Sequence, residues 1–189
     1  MATGEIAGTL EPALNKVQEV VAATPSPFEE LGLGLLVLIV VITFHGWAMA
    51  RVNGTFNREL VRLADHTPDW RYSLLTALGI GLLAITHLVE TLIWSVPIRG
   101  LGILTTMRDT YYFVLESYTT LGASAIELPE AWRLLGPMIA ISGLFTFSWT
   151  GSVLVYIVTE TARHQRDVGK KRTHAASSNP KPPDNSTPG

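Results

Sequence analysis

The most informative segment of the chain is Tyr118-Thr119-Thr120-Leu121-Gly122, which lies within a longer stretch from Met107 to Trp149. Before this segment, residues 108–117 mix aromatic and polar side chains over about the length of one short helix. After it, an uncharged apolar run extends from residue 134 to residue 158. Such a run is long enough to cross a bilayer. The order is therefore a short helix, a Thr-Thr-x-Gly turn and a spanning helix.

These segments resemble the two-helix pore module of the bacterial potassium-channel-like family, in the ion-channel-2 superfamily. The resemblance covers about residues 75–158 and includes Trp132-Arg133-Leu134-Leu135-Gly136 and the run from Ser142 to Trp149. It implies a homotetramer in which four re-entrant loops line one axis and direct carbonyl oxygens at an ion. The family's signature continues into Tyr-Gly-Asp, whereas this chain has Ala123-Ser124-Ala125.

By this resemblance, the ion-conduction or filter residues are Thr119, Thr120, Leu121, Gly122, Ala123 and Ser124. Thr120 matches the filter threonine, Ala123 replaces the aromatic residue that packs against the pore helix, and Ser124 replaces a glycine. A β-carbon in left-handed backbone costs about 1–2 kcal/mol. We therefore expect the outer coordination layers to be absent or wide and potassium selectivity to be weak.

Three further residues have two interpretations each. Glu127 could supply a ring of carboxylates at the outer mouth, although a solvated surface acid is the favoured interpretation because single exposed acids are common. Gly143 and Gly151 are candidates for the hinge of a gating inner helix. Packing is the more frequent role of glycine in membrane helices, and it stays open for both.

Composition supports a membrane protein. Of the 189 residues, 47% are hydrophobic and 16% are charged, and the charges cluster between apolar runs. Ordinary soluble domains have about a quarter charged residues. The net charge of −2 gives no field that favours nucleic acid. The absence of cysteine excludes disulfides, thiolate chemistry and cysteine-ligated zinc.

The predicted fold is all-α and integral to the membrane, with three transmembrane helices plus a re-entrant pore helix and filter loop. We divide the chain into an N-terminal leader (1–30), a first transmembrane helix (31–50), a cytoplasmic linker (51–72), the pore module (73–160) and a basic tail (161–189). The leader is either a short amphipathic helix or a partly ordered segment, and both interpretations stay open. The pore module comprises an outer helix (73–97), a pore helix with filter (108–125) and an inner helix (133–158). We expect disorder beyond about Arg172.

Lys and Arg predict the orientation, because short basic loops stay on the cytoplasmic side. Residues 51–72 contain four arginines and residues 161–172 contain five basic residues. Both are cytoplasmic if the N-terminus is outside and the C-terminus inside, in a multi-pass protein of the inner cell membrane. The 97–133 connection is then outside, where a re-entrant loop enters in the channel fold.

Ionisable residues within a span are functional candidates by default. His87 and Glu90 share a helix face and could form a proton-sensitive pair or a two-ligand metal site. The favoured alternative is that His87 hydrogen-bonds a neighbouring helix and Glu90 reaches the outer interface, because two ligands are few for zinc. His45 and His87 each lie fourteen residues into oppositely directed spans, so we expect depths that differ by about 12 Å. No metal site is predicted.

The predicted function is a passive cation channel of potassium-channel type with altered or weak selectivity. Its partners are membrane lipid and monovalent cations, potassium first and sodium as a candidate, and it needs no cofactor. The alternative is a non-conducting channel-fold protein that acts as an interaction or regulatory subunit. A membrane enzyme that uses His45, His87 and Glu90 is disfavoured because the sequence has no nucleophile constellation. The protein is therefore not expected to be an enzyme.

Overall fold

The computed structural model describes residues 26–63, 68–122 and 126–178. Within these ranges the chain is helical and contains no strand. The helices are α1 (Pro27–Arg62), α2 (Asp69–Gly100), α3 (Met107–Tyr118) and α4 (Leu135–Ser178), with a short 3-10 helix at Glu130–Trp132. The predicted all-α class is confirmed for this part of the chain. The amphipathic helix predicted in the leader lies outside it, as do residues 123–125.

Three helical segments are long and apolar enough to cross a membrane. They are Pro27–Arg62, Trp70–Gly100 and Glu130–Lys171. Each contains one of the three apolar runs from which a transmembrane helix was predicted, so the prediction of three candidate spans is confirmed by length and composition. A span needs about 20 apolar residues at a rise of 1.5 Å each, and all three segments exceed that length.

The helices extend beyond the predicted boundaries. Residues 51–62, predicted as linker, continue α1, and Val52, Phe56 and Leu60 are buried at helical spacing along it. At the other end, α4 continues through residues 161–178. The prediction of disorder beyond about Arg172 is therefore wrong for residues 173–178. Charge density concealed the periodicity of residues 51–62, because their charged residues lie between the apolar ones.

Two compact units make up the chain, and each has its own core. The first unit combines the described parts of 1–44 with 88–146. Its core consists of Val37, Val41, Trp94, Ile98, Ile103, Phe113, Val114, Tyr118, Leu128, Leu135 and Ile139. The second unit combines 45–87 with the described part of 147–189. Its core consists of Met49, Val52, Phe56, Leu60, Tyr72, Leu83, Val153 and Ile157.

Helix α3 belongs to the first unit and packs between α2 and α4. Thr106 caps its N-terminus, since the Thr106 hydroxyl accepts a hydrogen bond from the Asp109 backbone N–H at 3.1 Å. The Tyr111 hydroxyl accepts a hydrogen bond from Thr91 of α2 at 3.2 Å. On the other side, a β-carbon at Gly136 of α4 would lie 3.6 Å from the Phe113 ring. Both α2 and α4 therefore hold α3.

Candidate functional site

The last residue of α3 is the centre of a buried polar cluster. Tyr118 donates its hydroxyl hydrogen to the carboxylate of Glu90 on α2. The hydroxyl of Thr146 on α4 lies 2.5 Å from the same tyrosine oxygen. All three side chains are buried. Burial first, and then the hydrogen bond to Glu90, raise the pKa of Tyr118, so the phenol remains a donor at any ordinary pH.

This cluster determines the position of the C-terminal end of α3 along α2 and α4. Glu90 lies ten residues before the C-terminal residue of α2, Gly100. Thr146 lies eleven residues after the N-terminal residue of α4, Leu135. At 1.5 Å per residue, these positions are about 15 and 16 Å inside the respective helix ends. Two independent contacts therefore place the C-terminal end of α3 at the same level, well inside both long helices.

Gly143 lets the end of α3 approach α4. A β-carbon at Gly143 would overlap the carbonyl of Tyr118, a backbone group that cannot rotate away. A β-carbon at Gly151 would meet nothing within 4 Å. Of the two roles left open for these glycines, the contact therefore favours packing for Gly143. The open space around Gly151 favours neither packing nor a hinge.

The predicted filter begins as the terminus of α3. The backbone N–H of Thr120 donates to the Ser117 carbonyl at 3.0 Å, and that of Leu121 donates to the Glu116 carbonyl at 2.9 Å. Thr120 itself is left-handed, with φ +57°. This pair of bonds around a left-handed residue is a common helix ending, usually built on glycine. With threonine there, the left-handed conformation costs about 1–2 kcal/mol, whereas Gly122 adopts φ +64° without that cost.

The residues from Thr119 to Gly122 are exposed, and Leu121 is 69% exposed. Among the described residues, no backbone N–H donates to the carbonyl groups of these four. Ala123 and Ser124 lie outside the described residues, so the altered part of the filter stays a prediction. Glu127 is exposed, and its role at an outer mouth also stays a prediction.

Two buried acids of the first unit were not identified from the sequence. Glu30 was assigned to the leader, but it lies in the first turn of α1 and its carboxylate accepts a hydrogen bond from the backbone N–H of Leu134 at 2.5 Å. Glu116 is buried on α3. A hydrogen bond to Glu116 raises the pKa of Tyr112. The polar spacing of α3 was the available signal for Glu116, and nothing in the sequence marks Glu30.

Hydroxyl groups of α4 provide many of the polar contacts to α2. Ser142, Thr146 and Thr150 are four residues apart, so they share one helix face. Within the first unit, the Trp94 indole N–H donates to the Ser142 hydroxyl at 3.1 Å. Within the second unit, the Thr150 hydroxyl lies 2.9 Å from Nε2 of His87. The four-residue spacing of hydroxyl residues in an uncharged helix was a usable signal that the sequence analysis missed.

The expected separation of His45 and His87 is wrong. Both residues belong to the second unit, and their ring centroids are 5.6 Å apart. The predicted depths depend on the outer limits of the apolar runs, whereas the register of the two helices depends on where α1 ends and α2 begins. His45 lies seventeen residues before Arg62 and His87 lies eighteen residues after Asp69. In an antiparallel pair of helices these positions lie at nearly the same level.

The favoured alternative for His87 and Glu90 is half right. His87 hydrogen-bonds Thr150 of α4, as expected for a residue that binds a neighbouring helix. Glu90 does not reach an outer interface, since it is fully buried and accepts the hydrogen bond of Tyr118. The reason is that the end of α3 covers this part of α2, which sequence spacing alone does not reveal.

No protein family matches the chain, and neither does any curated protein or solved structure. The geometry around Tyr118 is therefore the basis for a functional proposal.

Proposed function

We propose that the protein is a passive cation channel of potassium-channel type, in which four copies surround a shared axis. The observation that carries this proposal is the position of the C-terminal end of α3, about 15 Å inside the ends of α2 and α4. Tyr118 holds it there through Glu90 and Thr146. The sequence resemblance to the two-helix pore module points to the same function.

The length of α3 supports a re-entrant segment. Twelve residues extend about 18 Å, whereas a bilayer core is about 30 Å thick. If α2 and α4 cross the membrane, α3 enters part of the way, and the chain must return before the 3-10 helix that begins at Glu130. Irregular backbone at such depth is tolerated only where protein or water covers it. Other copies, water and ions are the available cover for the exposed segment from Thr119 to Gly122.

The same segment supports ion coordination. Its carbonyl groups accept no backbone hydrogen bond from the described residues, and carbonyl oxygens are the groups that replace the hydration shell of potassium. Ala123 and Ser124 replace the aromatic residue and the glycine that continue the family's filter. The proposed channel therefore has weak selectivity and admits sodium as well as potassium.

The orientation of the proposed channel follows from its basic residues. Arginines of residues 51–72 and the basic residues of 161–172 are cytoplasmic under the positive-inside rule. The N-terminus is then outside and the C-terminus inside the inner cell membrane. Exposed apolar side chains, for example Leu36 and Val96, provide contact area for lipid or for other copies.

Single-cysteine variants test the proposal, because the natural chain contains no cysteine. We expect the reconstituted protein to carry potassium and sodium currents in planar bilayers. A charged thiol reagent added from the outer side should suppress the current of Leu121→Cys. The matched control is Thr55→Cys, exposed on α1, whose current should persist. Silent bilayers that contain assembled tetramers would contradict conduction, and equal block of both variants would contradict the pore assignment.

A non-conducting channel-fold subunit is the second candidate, and Ala123-Ser124-Ala125 is the observation that favours it. Replacing these residues by Tyr-Gly-Asp separates the two candidates. A pore that conducts weakly should become more selective for potassium. A pore that is collapsed in the natural chain should gain potassium current only after the replacement.

A further inference from the structure

We propose that His45 and His87, with the hydroxyl of Thr150, bind one divalent transition cation of the zinc class within the second unit. The proposal is independent of ion conduction, because all three residues lie outside the predicted filter. Neutral imidazole is a preferred ligand of Zn²⁺, Ni²⁺ and Cu²⁺, whereas Mg²⁺ and Ca²⁺ prefer oxygen. The chemistry of the donors therefore selects the class of metal.

The two imidazoles point at one position. The hydroxyl oxygen of Thr150 lies 2.9 Å from Nε2 of His87 and 3.5 Å from Nε2 of His45. The ligand nitrogens of the two rings lie within 4.8 Å of each other. Since both Nε2 atoms approach the same oxygen, an ion near that oxygen would be within reach of both rings after small side-chain rotations.

The ring separation fits a shared ion. A zinc–nitrogen bond is about 2.0–2.1 Å long, so two imidazoles on one tetrahedral ion have centroids roughly 5.2 Å apart. The observed value is 5.6 Å. Two histidines that merely occupied neighbouring helices would not need to match this distance.

Aromatic side chains lie next to both imidazoles. The Trp149 ring lies 5.3 Å from the ring of His45, and the Phe147 ring lies 4.5 Å from that of His87, centroid to centroid. Ring contacts of this kind limit the rotation of a packed side chain. His45 is fully buried, whereas His87 and Thr150 are half-buried. The second unit therefore does not enclose the site on every side.

Three protein donors with water are the ligand number of an open zinc site, not of a closed structural one. One of the three is a neutral hydroxyl, so the affinity should be lower than that of a structural zinc site. The cation is therefore expected to exchange with solution and to stabilise the second unit when bound.

The test uses the full chain, purified without a polyhistidine tag, stripped with a chelator and titrated with Co²⁺ and Zn²⁺. We expect one saturable Co²⁺ absorption signal per chain that Zn²⁺ displaces, and a Zn²⁺-dependent rise in thermal unfolding temperature. Mg²⁺ should produce neither effect. Absence of a saturable Co²⁺ signal in the natural chain would overturn the proposal.

Variants locate the site. His45→Ala and His87→Ala should each lower the apparent Co²⁺ affinity by about tenfold or more. The matched control is His174→Ala on the exposed end of α4, which should leave the affinity unchanged. Binding that survives both alanine changes, or that disappears only with His174→Ala, would overturn the assignment. If the alanine variants fail to fold, the His45→Cys/His87→Cys double variant tests the location of the site instead. It should gain thiolate-to-Co²⁺ charge-transfer bands, and a folded double variant without them would overturn the site.

Discussion

The polar cluster of the first unit and the histidine pair of the second unit each include a threonine hydroxyl of α4, but they differ in how deeply they are buried. Thr146 and Thr150, four residues apart on α4, provide one hydroxyl to each. The Tyr118 cluster is completely buried, and each of its three members binds another member of the cluster. The histidine pair has one buried and one half-buried ring. A fully buried cluster can hold a helix in one position, whereas a half-buried site can bind and release a ligand.

The glycines of α4 should give the largest difference between the two regions. Gly143→Ala places a methyl group against the Tyr118 carbonyl, so we expect a loss of about 3 kcal/mol or more in the free energy of unfolding. Gly151→Ala is the matched control, and it should be neutral or stabilising by up to about 1 kcal/mol because alanine favours helix. Unfolding in detergent, followed by circular dichroism, measures both. Equal stability of the two variants would contradict the close approach of α3 to α4.

Removing the Tyr118 hydroxyl should have the next largest effect. Tyr118→Phe leaves the buried Glu90 carboxylate without that donor, which should cost about 1–3 kcal/mol in the free energy of unfolding. The matched control is Tyr156→Phe, since the Tyr156 hydroxyl binds Asn57 at an exposed position. That change should stay within about 0.5 kcal/mol. If the two variants unfold alike, the Tyr118 hydroxyl does not hold α3.

Threonine variants compare the sealed and open sites directly. Thr146→Val should cost about 1 kcal/mol, within the range measured for hydrogen bonds between membrane helices. Thr150→Val should cost about half as much, because a half-buried group such as His87 loses less than a fully buried one when its hydrogen-bond partner is removed. The same unfolding assay applies. An equal or greater cost for Thr150→Val would show that the histidine site is sealed as well.

Glu127 should give the smallest effect. Because its side chain is exposed, Glu127→Gln should change the free energy of unfolding by less than about 0.5 kcal/mol. Current amplitude at equal potassium and sodium concentrations should also be unchanged if Glu127 is an ordinary surface acid. A clear fall in current with unchanged stability would instead support a carboxylate ring at the outer mouth.

The sequence predicts which segments are helical better than it predicts which residues contact one another. Three apolar runs indicated the three long helices, and the mixed composition of residues 108–117 indicated α3, because local composition determines both. No partner of Tyr118 was predicted, since nothing local shows that its hydroxyl reaches Glu90. The proximity of His45 and His87 was missed because helix register depends on where one helix ends and the next begins. Contacts between distant segments follow from packing, which one sequence does not display.

The Glu30 carboxylate joins the first turn of α1 to the start of α4. Ser26 precedes this turn, and its backbone N–H donates to Glu29 at 2.8 Å while its hydroxyl accepts from the Glu29 N–H. Any shortened version must therefore begin at or before Ser26 to retain both interactions. Deleting the first turn of α1 would remove the contact between Glu30 and the start of α4, so both helix ends would lose it. Fusion partners should therefore be joined before Ser26.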